Sequence, residues 1–288
     1  MRLLRVSYPS LDTSRAAAAV AHVRNLARGQ RIDPSWRVTV HFHPDRLVDD
    51  MTILRAMATD GRYRSQFETG TSNGGLSCHT GGDRWRWESR LFGGAYDDAP
   101  PAARPVYGSL NHRHRPAGGS PRFGSAHLRL NVATLARTTF CYPDSVFEPV
   151  EVGTADRCAL ADLADADDKE PLDDYVEAHV HGGVVLARDV EALVLDPCFR
   201  DTEVEADAHL LGVPVQWHHG FRARIDDIAA HPGYRGPDIV VAAALIAREG
   251  ILDARIIGAA VREGLFDEQS LKRVWHCTAR FGHPDIRP

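Results

Sequence analysis

Residues Tyr175–Leu186 read YVEAHVHGGVVL, and the alternation within them decides the fold. Successive side chains of a β-strand point to opposite faces. Over Tyr175–His181 one face carries Tyr175, Glu177, His179 and His181, and the other carries Val176, Ala178 and Val180. Gly182-Gly183 then supplies two residues that enter a left-handed turn without steric cost. Val184–Leu186 resumes an apolar run, so the stretch predicts a strand–Gly-Gly–strand hairpin. Val190–Leu195 predicts a further strand, which Asp196-Pro197 closes.

Working outward, the same reading predicts strands at Arg37–Phe42 (RVTVHF, stopped by Pro44), Pro105–Leu110, Ala126–Val132 and Thr138–Tyr142. Helical spacing predicts Thr13–Ala27, and Leu47–Ala58 with Leu47, Met51, Leu54 and Ala58 on one face. Gly61–Gly94 is rich in Gly, Ser and aromatic residues, a texture suited to ligand-contacting loops, with Asp83–Phe92 readable as one helix. Beyond Asp201 the pattern turns helical, at Ala206–Leu211, Ile225–Ala230, Pro237–Arg248, Asp253–Glu263 and Asp267–Arg280. The expected organisation is an N-terminal helical segment (1–35), an α+β core (36–200) and a helical C-terminal module (201–288).

The chain has 288 residues, 43% hydrophobic and 25% charged, which suffices for a large core. Its net charge of −5 gives no general attraction to nucleic acid or to an anionic membrane. Lys169 and Lys272 are the only lysines, so the wealth of Arg reflects a GC-rich composition. No apolar run follows the first arginines, and Ile239–Ala247 is too short to span a bilayer. The five scattered cysteines form no CxxC pair. Reduced thiols and a cytoplasmic location are expected.

Four local features carry chemistry. His41 and His43 share a face at a strand end. Tyr107 and Ser109 flank Gly108, where something can approach the backbone. Glu177 shares a face with Tyr175, His179 and His181. Taken alone, a Glu on a strand is ordinarily an exposed residue, and a strand Tyr is ordinarily a core residue. Thr69–Gly75 (TGTSNGG) offers backbone N–H groups to a phosphate or amide, but it lacks the Walker Lys and the GxGxxG context.

The order of these features, from His41 through the Gly-rich loop and Tyr107 to Glu177, resembles the His–Tyr–Glu branch of the ADP-ribosyltransferase superfamily. The segments VHFHPDR, SNGG, YGSLN, RFGSAHLRL, EAHVHG and YRGP also resemble an uncharacterised bacterial family near that superfamily. The resemblance implies an ADP-ribosyltransferase-like split sheet, mixed or antiparallel, with flanking helices. It implies NAD as substrate, with Glu177 at the nicotinamide ribose, Tyr107 against nicotinamide and His41 toward the ribose and amide. His43 stands where that family has Ser or Thr. His43, Arg46, Thr69, Ser72, Asn73, Gly74, Gly75, Ser109 and Arg122 complete the expected NAD contacts, and Arg64 is a further candidate for the diphosphate. No metal is expected. Arginine-modifying members carry Glu or Gln two residues before the catalytic Glu. Tyr175 holds that place here, which disfavours arginine as acceptor and leaves protein, nucleic acid, small molecule or water.

Two other classes compete. The fifteen histidines include the pairs His41/His43, His112/His114 and His179/His181. His41, His43, His179 and His181 would be the ligands of a zinc hydrolase, although no long βα repeat accompanies them. The third class is an inactive module that binds NAD, ADP-ribose or a nucleic-acid end.

Overall fold

The computed structural model describes residues 13–48, 50–70 and 76–282. Its centre is an eight-stranded mixed sheet. In chain order the strands are β1 (Arg37–Phe42), β2 (Val106–Asn111), β3 (Ala126–Leu130), β4 (Thr138–Tyr142), β5 (Glu151–Thr154), β6 (Val176–Val180), β7 (Val190–Leu195) and β8 (Val215–Trp217). Across the sheet they lie in the order β8-β7-β3-β1-β2-β6-β4-β5. The β7–β8 pair is parallel and the other neighbours are antiparallel. Together with its helices this is an α+β architecture, as the alternation predicts.

The Gly-Gly hairpin does not form. Gly182 and Gly183 take positive φ (74° and 71°) and turn the chain. Val184–Val185 then pairs with Arg62–Tyr63 rather than with β6. Both edges of β6 are already occupied, by β2 and β4. The Leu47–Ala58 helix also starts later than expected. Leu47–Val48 and Met51–Thr52 form a small antiparallel pair, and the helix runs Ile53–Asp60 behind the Thr52 cap. Leu47 and Met51, expected on its buried face, are exposed.

The two sheet faces differ sharply. One row of neighbours runs Leu193–Leu128–Val40 and continues through Ala178 and Phe140; all five side chains are buried. This aliphatic face anchors the main core. The opposite face carries the row Arg129–Thr39–Ser109–Glu177–Cys141. The next row adds His127, His41, Tyr107, His179 and Thr139. Alternation of this kind commonly marks a solvated face. Here Thr39, Ser109, Thr139 and His179 are fully buried. A smaller cluster, with Ala19 and Val23 of the helix Thr13–Leu26 and Trp87, Leu91, Phe92 and Tyr96, covers the β4–β5 side. Residues 118–124 pack over β1 and β2, where the Gly119 N–H donates to Thr39 Oγ1 (3.0 Å) and Ser120 Oγ to Ser109 Oγ (2.9 Å).

The expected boundary at residue 200 is not a physical one. Val215–Trp217 joins the sheet as β8, and one core runs from Val40 and Leu128 to Leu271, Val274 and Trp275. The indole of Trp275, on the helix Glu268–Gly282, donates to Pro121 O (3.0 Å). Its ring meets Phe221 and His43 edge-on. Short strands at Arg222–Arg224 and Ile251–Asp253 pair within the predicted helical region.

Gly124 shows how tightly the covering segment seats. Its φ is +155°, and a Cβ there would lie 2.1 Å from the Phe42 carbonyl carbon. Backbone cannot rotate away, so Gly124→Ala is expected to cost near the top of the usual overpacking range, about 3 kcal/mol. Gly183→Ala, with positive φ but open space, is expected to cost about 1 kcal/mol. Urea unfolding of both variants measures the difference, and equal costs would contradict the close approach.

Candidate active site

A cavity of about 390 Å3 brings together His41 on β1, His43 just after it, Tyr107 on β2, Glu177 on β6, and Arg46 and Thr69 from other segments. Its size lies in the ordinary small-molecule range of about 300–1,000 Å3. Arg64 also lines it but is paired with Asp60. Ser109 and Arg122 are elsewhere. Ser109 is buried between Thr39 and Ser120, and Arg122 is ion-paired with Asp173. Ser72, Asn73, Gly74 and Gly75 lie outside the described residues.

Glu177 is the best-supported charge in the cavity. Its Oε2 accepts from Ser145 Oγ (3.0 Å) and the Ser145 N–H (3.3 Å). Its Oε1 accepts from His179 Nε2 (2.9 Å) and lies 3.8 Å from Arg84 Nη1. Burial alone would raise the carboxyl. The His179 hydrogen bond, the Arg84 charge and Ser145 outweigh it, so the group is held below its ordinary value and stays ionised.

Arg84, Asp144 and Ser145 line the cavity and were not among the residues the sequence pointed to. In the helix Asp83–Leu91, positions 84, 87, 88 and 91 are buried together. That spacing is a helix face, and it places an Arg and a Glu beside Trp87 and Leu91. This was the readable signal. Arg84 donates to Ser145 Oγ and lies over the Tyr107 ring, 4.3 Å from its centroid. The Tyr107 hydroxyl donates to Glu88 Oε1 (3.1 Å), and Glu88 is paired with buried Arg104. The ring is thus clamped at its hydroxyl and on one face.

Asp144 is a second carboxylate on the wall. It caps Val146 and accepts from the Tyr175 hydroxyl. Burial and then the Glu177 charge raise its carboxyl above the usual range. Arg46 is exposed and forms no ion pair among the described residues.

The histidines resolve into fixed roles. His41 Nδ1 meets Gly124 O (3.1 Å), which only accepts, and Nε2 meets the Ser120 N–H (3.3 Å), which only donates. His41 is therefore a neutral Nδ1–H imidazole, and burial pushes it down to about 3. It borders the cavity with both nitrogens committed to backbone, so the direct ribose contact expected of it is not available in this arrangement. His179 and His181 are likewise bonded at both nitrogens, to Glu177 and Thr139, and to Thr139 and Tyr96. The four-histidine zinc set does not assemble. Among the described residues the group with metal-ligand spacing is Cys141, Glu177 and His179. The Arg84 guanidinium beside Glu177 works against a cation there, and burial keeps the Cys141 thiol protonated.

This alternating-face sheet, with a carboxylate held at a cavity, defines the class as an α+β protein with a mixed eight-stranded sheet. The family model described as "Protein of unknown function (DUF3626)" matches residues 37–166 and 157–280, and the chain belongs to that family. No curated protein matches it. Among the described residues no helix is long and apolar enough to cross a membrane.

The buried imidazoles set a pH dependence. Burial pushes His41 and His43 down to about 3 and His276 to about 2, and it lowers His127 and His181 as well. Unfolded, each binds its proton near pH 6.5. Below that pH the unfolded chain holds more protons than the native one, so stability falls as pH falls toward 3. Glu177 adds to the loss at the acid end, because its folded value is depressed. Asp45, Glu88 and Asp144, raised by burial, oppose it. With His112, which burial also lowers, six histidines outweigh three carboxyls, and the thermal midpoint is expected to drop steadily from pH 6.5 to 4.5. A flat or rising midpoint in calorimetry would show that these rings are solvated.

Proposed function

We propose that this protein cleaves NAD at the nicotinamide–ribose bond and passes ADP-ribose to an acceptor or to water, as an ADP-ribosyltransferase-like enzyme. The observation that carries the reading is an ionised Glu177 carboxylate lining the same cavity as Tyr107, His41, His43, Arg46 and Thr69. Those are residues that the resemblance assigns to NAD.

The chemistry suits them. Departure of nicotinamide leaves an oxocarbenium-like ribose, as in glycoside cleavage. A carboxylate already fixed by Ser145 and His179 stabilises that charge without reorganising. Tyr107, held by Glu88 and Arg84, gives the flat leaving group a rigid neighbour. Arg46 supplies a planar donor for the diphosphate. His41 acts as a wall and anchors residues 118–124. Asp144, with its carboxyl shifted opposite to that of Glu177, is the group suited to take the acceptor's proton.

The test is nicotinamide release from NAD labelled in its adenylate half, with label transfer followed in a bacterial lysate. Glu177→Gln is expected to lower release roughly 100- to 1000-fold. Arg46→Ala is expected to raise KM for NAD about tenfold with kcat nearly unchanged, the mark of lost uniform binding. Wild-type protein that binds NAD and releases no nicotinamide would make this a binding module. Protein that neither binds nor cleaves NAD would sink the reading.

A further inference from the structure

Behind Glu177 and its partner His179 lies a run of buried side chains that has no part in the chemistry proposed above. His179 Nε2 meets Glu177 Oε1 at 2.9 Å, and His179 Nδ1 meets Thr139 Oγ1 at 3.2 Å. His181 Nε2 meets the same hydroxyl at 3.0 Å, and His181 Nδ1 meets the Tyr96 hydroxyl at 2.8 Å. All four residues are at most 1% exposed, so water does not compete for these bonds.

We propose that Tyr96, His181, Thr139 and His179 form a one-way hydrogen-bond chain that positions Glu177, fixing its Oε1 as an acceptor and its carboxylate in the ionised form. The functional part of this inference rests on the reading of Glu177 as the group that faces the ribose.

The direction follows from the far end. An ionised carboxylate only accepts, so His179 carries its proton on Nε2. With one proton on the ring, placed on Nε2 by the carboxylate, Nδ1 offers a lone pair and Thr139 donates to it. A threonine hydroxyl has one proton, now committed, so it accepts from His181 Nε2–H. His181 Nδ1 then accepts from Tyr96. Every donor points toward Glu177, and bonds so aligned polarise one another. Burial lowers His181 well below the ordinary imidazole value, in keeping with a neutral ring.

The ring planes are held independently. Phe92 packs edge-on against His179 and His181, with centroids 5.4 and 4.9 Å apart, and the Tyr96 ring lies parallel to His181 at 5.7 Å. These four residues do not reach the reacting atoms; they act through Glu177. The other groups around that carboxyl are Arg84 from the helix Asp83–Leu91, Cys141 on β4, Asp144 and Ser145 from the turn after β4, and Tyr107 on β2. Thr139 touches none of them in a hydrogen bond, so its removal isolates the chain.

The experiment is NMR on the full chain with 15N-histidine and 13C-carboxyl glutamate, with the Glu177 signal assigned from Glu177→Gln. Wild type is expected to show both His179 and His181 as Nε2–H tautomers. Thr139→Val keeps the volume and removes the link. Its Glu177 titration is expected to move up by about one pH unit, a tenfold change in proton affinity. Tyr96→Phe should move it in the same direction by less. In the nicotinamide-release assay the acid limb of kcat should shift with the titration, while KM for NAD stays within about twofold.

An Nδ1–H tautomer at either histidine in wild type overturns the chain, as does an unmoved titration in both Thr139→Val and Tyr96→Phe. If Thr139→Val fails to fold, the wild-type tautomers and Tyr96→Phe decide. A shifted titration in a protein that releases no nicotinamide would uphold the chain and reject the NAD reading.

Discussion

A carboxylate buried in the middle of a sheet face is the constraint around which this structure is arranged. Glu177 is 6% exposed and sits on a central strand. Removing such a charge from water is costly unless it is paired and hydrogen-bonded. Each of its neighbours meets part of that demand: Ser145 with a hydroxyl and an N–H, His179 with a ring N–H, Arg84 with a nearby charge. Each neighbour is then itself a buried polar group with partners to find. Arg84 reaches Ser145 and the Tyr107 ring, Tyr107 reaches Glu88, and Glu88 reaches Arg104. One carboxylate thereby organises an array of side chains drawn from two strands, a helix, a turn and the segment before β2.

The same logic explains the two-faced sheet. The aliphatic face needs only close packing. The polar face needs partners for every threonine, serine and histidine on it, and burial makes the demand strict. Residues 118–124 answer it over β1 and β2 with backbone groups, and their glycines permit the approach: a Cβ at Gly118 would meet His41 Nε2 at 2.3 Å. Helices and aromatic rings answer it over β4 and β6. The cavity lies among these coverings, so Glu177 and Tyr107 already have their hydrogen-bond partners before any ligand arrives, the condition for electrostatic preorganisation.

Much of the sheet was legible because strand alternation is local. Arg37–Phe42, Thr138–Tyr142 and Val190–Leu195 were placed correctly by their own residues. Pairing is not local, and the Gly-Gly turn misled for that reason. The glycines do turn the chain, but β2 and β4 had already claimed both edges of β6. Alternation also could not say that the polar face is internal, since exposed and covered polar faces look the same in sequence. β8 was hidden by its three residues, and Val215–Trp217 becomes a strand only by lying beside β7.

The candidate site divides along the same line. Residue order alone named His41, Tyr107 and Glu177, and the fold does bring them to one cavity. What order cannot show is which atoms remain free once the fold is satisfied. His41 has given both nitrogens to backbone, and Ser109 has given its hydroxyl to the core. Arg46 lines the cavity, is exposed and forms no ion pair among the described residues. Glu177 stays ionised because the His179 hydrogen bond, the nearby Arg84 guanidinium and Ser145 all favour the charged carboxylate. A fixed anion, and a cation that forms no ion pair among the described residues, line one cavity. That pair of charges is what the proposed substrate NAD would call for, with its positive ring and negative diphosphate, and the support lies in charge and in where it is placed.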